Sequence, residues 1–319
     1  MRAWVSPPGI LALLGLVALA CGALFMTLGV QGAWAFALPF RASKLATMLL
    51  VAYAIAVSTV LFQTATGNRI LTPGIMGFDT LYVLIQTSVI FILGSDAIAS
   101  ADRRMTFLAE VAIMVGFSGL LYCALFAGAR RSLHMLVLTG VVLGVLFRSL
   151  SGFMQRLIDP NEFAILQNRF FASFNSPHHG LLAISALAVL GASLAGLRAL
   201  NRWDVLTLGR DAAISLGVAH RREVTRILVI VAVLVSVSTA LVGPITFFGL
   251  LVANLAYMLV PSFRHRHVLP AAFLIAVICL VGGQTVLERV FAFDTNLRVI
   301  VDFLGELTFL ALLVRRKAR

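Results

Sequence analysis

Membrane-length apolar runs, broken by short polar stretches, follow one another along nearly the whole chain. They cover residues 9–30, 42–62, 77–95, 105–127, 134–153, 180–199, 225–242, 244–260, 268–288 and 297–314. About 20 apolar residues in a helix cross ~30 Å of hydrocarbon. A helix also satisfies its own backbone N–H and C=O groups, which lipid cannot do, and the alternating pattern of a membrane barrel is missing. The pattern predicts an all-α polytopic membrane protein with about ten transmembrane helices, built as a single domain over residues 1–319.

Composition agrees. The chain is 61% hydrophobic and 12% charged, with a mean hydropathy of +1.01. A soluble domain carries about 25% charged residues. The net charge of +12 comes from arginines that punctuate the apolar runs, which speaks for basic loops and against a nucleic-acid surface. With the N-terminus in the cytosol, sixteen basic residues fall on the cytosolic side, among them Arg2, Arg69, Arg202, Arg264 and Arg319. Eight fall outside, including Arg41, Lys44, Arg103, Arg169, Arg289 and Arg298, and Arg148 lies within the fifth span. That bias obeys the positive-inside rule, and an odd number of spans would put the basic C-terminus outside. The N-terminal run continues past Ala18-Leu19-Ala20-Cys21, a weak lipoprotein-like site, and is read as a retained first span. Cys21, Cys123 and Cys279 each sit inside an apolar run and have no metal-ligand spacing.

Catalytic chemistry is hard to find. No G-x-x-x-x-G-K-[ST] phosphate loop is present, so ATP is not held by this chain in that way. His265 and His267 lie among arginines, which repel a cation. Glu110, Arg148 and Glu288 fall near helix ends, where a charge reaches water most easily. Asp302 and Glu306 are four apart on one helix face. They read either as a cation or proton pathway or as carboxylates facing neighbouring helices. Gly15-Gly22-Gly29 and Gly140-Gly144 offer faces for close helix packing. Residues 154–179 form the longest outer connection, with a short interfacial helix expected around Phe163, Leu166, Phe170 and Phe171.

The longest polar-rich interruption is 198–226. Its centre, residues 203–217, holds a turn-helix-turn pattern bounded by Gly209 and Gly217, with Ile214 and Leu216 as apolar anchors. Its flanks Arg202, Arg210, Arg221 and Arg222 suit either a protein partner or lipid phosphates.

Four motifs make the chain resemble the FecCD-type permease subunits of ABC importers for iron chelates, haem and cobalamin. Leu206-x-Leu208-Gly209-x-x-x-Ala213-x-x-Leu216-Gly217 resembles the cytosolic segment that docks on the ATPase. The stretch from Ala240 to Leu251 is similar to the A-x-x-G-x-I-x-F-[IV]-G-L signature. Asn68-Arg69-Ile70-Leu71-Thr72-Pro73 parallels N-P-L-A-x-P, and Ser132-Leu133-His134 resembles the start of the fifth span. The chain departs from the family pattern at Arg69, at Ala253, Asn254 and Tyr257, and at Arg264-His265-Arg266, where Asp-His-Arg is common.

The resemblance implies a type II ABC importer permease in the bacterial cytoplasmic (inner) membrane, with both termini cytosolic. It binds no cofactor and is not an enzyme, because ATP belongs to the partner. Its partners are two ATPase subunits, a second permease (identical or a sister chain), a periplasmic or lipid-anchored substrate-binding protein and membrane lipid, with no nucleic acid. It assigns ATPase coupling to Leu206, Leu208, Gly209, Ala213, Leu216 and Gly217. It assigns the cytosolic gate to Asn68, Ile70, Leu133 and His134, and binding-protein docking to Arg41, Lys44 and Arg298. The expected cargo is an iron-siderophore complex of the catecholate type, with haem or cobalamin as alternatives. A different class, a cation-coupled secondary transporter working through Asp302 and Glu306, stays open at this point.

Overall fold

The computed structural model describes residues 6–29, 32, 34–126, 133–170, 174, 179–289 and 307. The described residues form helices and turns, with no strand among them. Twelve α-helices follow in order. They are α1 (Pro7–Thr27), α2 (Trp34–Thr66), α3 (Phe78–Ser100), α4 (Arg103–Phe126), α5 (Leu133–Gln155) and α6 (Pro160–Phe170). The second half holds α7 (His179–Leu197), α8 (Leu200–Leu206), α9 (Arg210–Ser215), α10 (His220–Val242), α11 (Phe248–Leu259) and α12 (His265–Arg289). A 3-10 turn at Pro73–Met76 precedes α3.

Nine of the ten expected spans coincide with helices, and the tenth, 297–314, lies outside the described residues except for Leu307. Seven of the described helices are long and apolar enough to cross a membrane. Two others, Phe78–Gly94 and Phe248–Leu259, are apolar but shorter. Each has a backbone reason. Gly94 turns out of helical geometry (φ 77°, ψ 168°) and kinks α3. Gly243 (φ 93°, ψ 170°) ends α10, and Pro244 after it cannot donate a helix hydrogen bond, so α11 starts only at Phe248.

Two apolar cores meet along α2. One gathers α3, α4, α7 and α8 around α10, with Leu234, Ile227 and Met114 fully buried. The other gathers α1, α11 and α2 around α12, with Met48, Phe248 and Leu280 fully buried. Cys21 and Cys279 are free thiols packed in this second core. The short outer helix is present as α6: Asp159 caps it through Asn161 N–H at 2.9 Å, Pro160 opens it, and buried Leu166 seats it on Ile90 of α3.

The glycine expectations divide. A Cβ on Gly140 would stand 2.9 Å from Met76 O, so α5 does rest on the 3-10 turn through its glycines. Gly15 and Gly22 have nothing within 4 Å, so within this chain the α1 glycines are not a packing seam. The close approach that the signature stretch needs is at Gly249, where a Cβ would meet Thr59 Oγ1 at 2.1 Å.

α2 and α12 run antiparallel and are tied at both ends. Lys44 is ion-paired with Glu288 at one end, and Thr64 Oγ1 is 2.8 Å from His265 Nε2 at the other. Twenty residues separate Lys44 from Thr64, about 30 Å of helix, so the two ties mark opposite ends of the bundle.

Candidate functional site

Helices α8 and α9 lie at the Thr64–His265 end, and their side chains sort by burial. Trp203, Leu206 and Ala213 are buried in the α10 core, Ala213 completely. Leu208 is 60% exposed, Ile214 51% and Leu216 62%. The pattern L-x-L-G-x-x-x-A-x-x-L-G therefore contains two functions that its spelling does not separate. Leu206 and Ala213 anchor the segment to its own chain, while Leu208, Ile214 and Leu216 present an apolar surface outward. Gly209 (φ 96°) and Gly217 (φ 79°) take backbone conformations that L side chains resist, and these set the entry and exit of α9.

Two polar ties hold the segment. Trp203 Nε1–H donates to Glu223 Oε2 at 3.2 Å, and its indole lies against Gly196, where a Cβ would meet it at 2.7 Å. Arg202 and Arg226 complete the shell of Glu223 at 2.9 and 3.1 Å, leaving that carboxylate 2% exposed but fully paired. The second tie joins Asp204 to the first residue of α12. Both the backbone N–H and the Nδ1–H of His265 donate to Asp204 Oδ1, each at 2.7 Å. His265 is buried, with the Asp204 carboxylate on one side and Thr64 on the other. His267 does stay with its basic neighbours, accepting from Arg266 Nε at 3.3 Å. Among the described residues no His, Cys, Asp and Glu gather as metal ligands.

The Asn68–Ile70 turn lies beside this junction. Asn68 Oδ1 accepts from Ile70 N–H at 3.1 Å, an Asx turn. Arg69 O accepts from Gln63 Nε2 at 2.8 Å and from Asn254 Nδ2 at 3.3 Å. The Arg69 guanidinium stacks 4.6 Å above the Tyr257 ring. α5, whose first residues are Leu133 and His134, lies on the 3-10 turn that follows. The Leu133 and His134 side chains lie outside the described residues. A cavity of about 320 Å³ opens between the turn and the α8 end, lined by Gly67, Arg69, Thr207, Leu208, Tyr257 and Phe263 among others.

The opposite end corrects one expectation. α2 begins at Trp34, well before the expected start at 42, so Arg41 and Lys44 are helix residues and not an approach to one. Lys44 is only 4% exposed and its ammonium is held by Glu288, so it offers no free charge to a docking protein. Arg41 Nη1 donates to Phe25 O at 2.9 Å and Leu28 O at 2.8 Å, capping the carbonyl end of α1. Arg298, Asp302 and Glu306 lie outside the described residues. Glu110 is buried and accepts from Gln86 Nε2 at 2.6 Å. Arg148 lies seven residues before the end of α5, further inside than expected, on an exposed face.

The profile of the FecCD transport family matches residues 10–315. The chain belongs to the FecCD transport family. It is 45% identical over 305 residues, 96% of each chain, to the petrobactin import system permease protein YclO of Bacillus subtilis. Over 278 residues, 87% of this chain and 78% of the relative, it is 36% identical to the petrobactin import system permease protein FatC of Bacillus anthracis. A chain from a structure described as an inward-facing conformation of a metal-chelate type ABC transporter has the same fold, with a TM-score of 0.83 at 23% identity over 97% of this chain and 99% of that one.

Within this FecCD chain the departures from the family pattern come together in space. Arg69 meets both Asn254 and Tyr257, the first through a hydrogen bond to its carbonyl and the second through a cation–π contact. The carboxylate beside His265 comes from Asp204 on α8. Asp204, Glu223 and Trp203 were the residues that linear reading passed over. The local signal was there: a tryptophan and an acid inside a basic loop, where both need partners.

Proposed function

We propose that this protein is the membrane-spanning permease subunit of an ABC importer that moves a ferric siderophore into the cell. Two such subunits enclose the pathway, two ATPase subunits bind at the α8–α9 end, and a substrate-binding protein delivers the chelate at the other. The observation that carries this reading is the division of the 203–217 segment: buried Trp203, Leu206 and Ala213 fasten it, while exposed Leu208, Ile214 and Leu216 face outward beside the positive-φ glycines Gly209 and Gly217. A short helix seated on the core by Ala213, with apolar side chains turned outward among arginines, suits a groove on an aqueous partner. Family membership and the petrobactin permeases among its relatives support an iron chelate as cargo. A catecholate siderophore is the narrower assignment, and the Asn68–Ile70 turn with Leu133 and His134 is the proposed cytosolic gate.

The test is reconstitution. The chain, co-expressed with its neighbouring ATPase and binding protein, captures the ATPase and accumulates ferric petrobactin in proteoliposomes only with ATP. Replacing Leu216 by Asp abolishes both while the permease stays folded. Uptake by vesicles that hold this chain alone and a cation gradient overturns the proposal in favour of secondary transport.

A further inference from the structure

The structure assigns Asp204 and His265 a positioning role: they form the joint through which displacement of the α8–α9 segment reaches α2, α12 and the Asn68–Ile70 turn. The inference rests on the ABC-importer reading above and adds the route that the reading leaves open.

The contacts leave few choices for that route. Leu208, exposed on the segment, and Arg69 of the turn both line the cavity of about 320 Å³, so open space lies between the segment and the turn. A push on Leu208 cannot cross an open space. The bonded path runs along its wall, through His265, Thr64 and Gln63. Asp204 Oδ1 takes two hydrogen bonds from the first residue of α12, one from backbone N–H and one from Nδ1–H, both 2.7 Å. Two bonds to one residue fix direction as well as distance. The far side of the same imidazole meets Thr64 Oγ1 at 2.8 Å, in the last turn of α2. Thr64 Oγ1 also lies 3.0 Å from Val60 O of its own helix, and its neighbour Gln63 donates to Arg69 O at 2.8 Å, inside the turn. The His265 ring is 2% exposed and edge-on to Trp203, at 6.4 Å between centroids, so it is packed on one side while it meets its two partners.

The other tie, Trp203 to Glu223, leads elsewhere. It runs into α10, where Glu223 is also held by Arg226 one turn along the same helix. That tie seats the segment on its core. The Asp204–His265–Thr64 tie is the one that bridges two spans and ends at the turn.

The experiment uses the full complex of permease, ATPase and binding protein in proteoliposomes and reads ferric petrobactin moved per ATP hydrolysed. Asp204→Leu keeps the side chain's bulk and removes its acceptor. Asp204→Asn keeps an acceptor oxygen for both His265 donors. Thr64→Val removes one hydroxyl with no change of shape. Asp204→Leu and Thr64→Val are expected to bind the ATPase and hydrolyse ATP, yet to lower the chelate-to-ATP ratio roughly fivefold or more. Asp204→Asn is expected to stay near the parent ratio, which a charge-based role does not explain. The Asp204→Leu/Thr64→Val double variant is expected to lose no more than the worse single one, as for two links of one chain. An unchanged ratio in Thr64→Val with intact ATPase binding overturns the inference, as does an additive double variant. If Asp204→Leu fails to fold, Thr64→Val and Asp204→Asn still decide it. Failure of the parent chain to capture any ATPase sinks the importer reading instead, so the two failures are distinct.

Discussion

Lys44 of α2 and Glu288 of α12 form an ion pair at the end of the bundle where α1 stops, with side chains only 5% and 13% exposed. Gln284 also donates to Glu288 at 2.9 Å, and the Lys44 ammonium lies 5.9 Å from the Phe25 ring centroid. Removing one member strands the other charge in a poorly solvated site. Lys44→Met is expected to destabilise the detergent-solubilised protein by about 3 kcal/mol, whereas Lys44→Met with Glu288→Leu recovers most of the loss. Thermal unfolding measures both, and a docking role for Lys44 predicts the reverse: full stability with weakened binding-protein affinity.

Burial divides the 203–217 segment into two mutational classes. Leu206→Asp places a charge in the α10 core and is expected to prevent folding. Leu208→Asp, Ile214→Asp and Leu216→Asp replace exposed side chains and are expected to leave the unfolding temperature within about 2 °C, since surface changes stay near ±0.5 kcal/mol. These three should lose ATPase in a pull-down. Retained ATPase in all three moves the contact surface elsewhere.

Glycines predict unequal costs for one chemical change. Gly140→Ala pushes a methyl to 2.9 Å from the Met76 carbonyl, which is backbone and cannot turn aside. A loss of about 1–3 kcal/mol is expected. Gly15→Ala and Gly22→Ala meet nothing within 4 Å and gain helix propensity, so they should be neutral or slightly stabilising. Equal unfolding temperatures for Gly140→Ala and Gly22→Ala contradict the packing described for α5.

Trp203→Phe removes one hydrogen bond to Glu223 but leaves Arg202 and Arg226 on that carboxylate. The expected cost is about 1 kcal/mol. Gly196→Ala, by contrast, drives a methyl to 2.7 Å from the indole and displaces the ring that also touches His265. Tryptophan fluorescence should shift in Gly196→Ala, and an unshifted spectrum speaks against this seat for Trp203.

Much of the architecture was legible along the chain because the membrane imposes a length. Runs near 20 residues with few charges can only be helices there, and nine of the expected spans coincide with helices. Helix ends were less legible. The start of α2 at Trp34 and the short α11 depend on which backbone groups find partners: Arg41 on the α1 carbonyls, Gly243 at the α10 terminus. Those partners are distant in sequence. The family motifs singled out the 203–217 segment but not its division, because burial of Leu206 and exposure of Leu208 follow from where α10 passes and not from residue type.

Hydrophobic periodicity, span length and arginine placement thus determined by themselves that this is a helical membrane protein with a basic, ordered loop before α10. They act locally, and a span needs no neighbour to declare itself. Only the tertiary structure decided that Asp204 meets His265, that Lys44 is buried on Glu288 and that Arg69 meets both Asn254 and Tyr257. A polar group inside a bundle must find its partner among helices tens of residues away, and that choice is made when helices pack, not when they form.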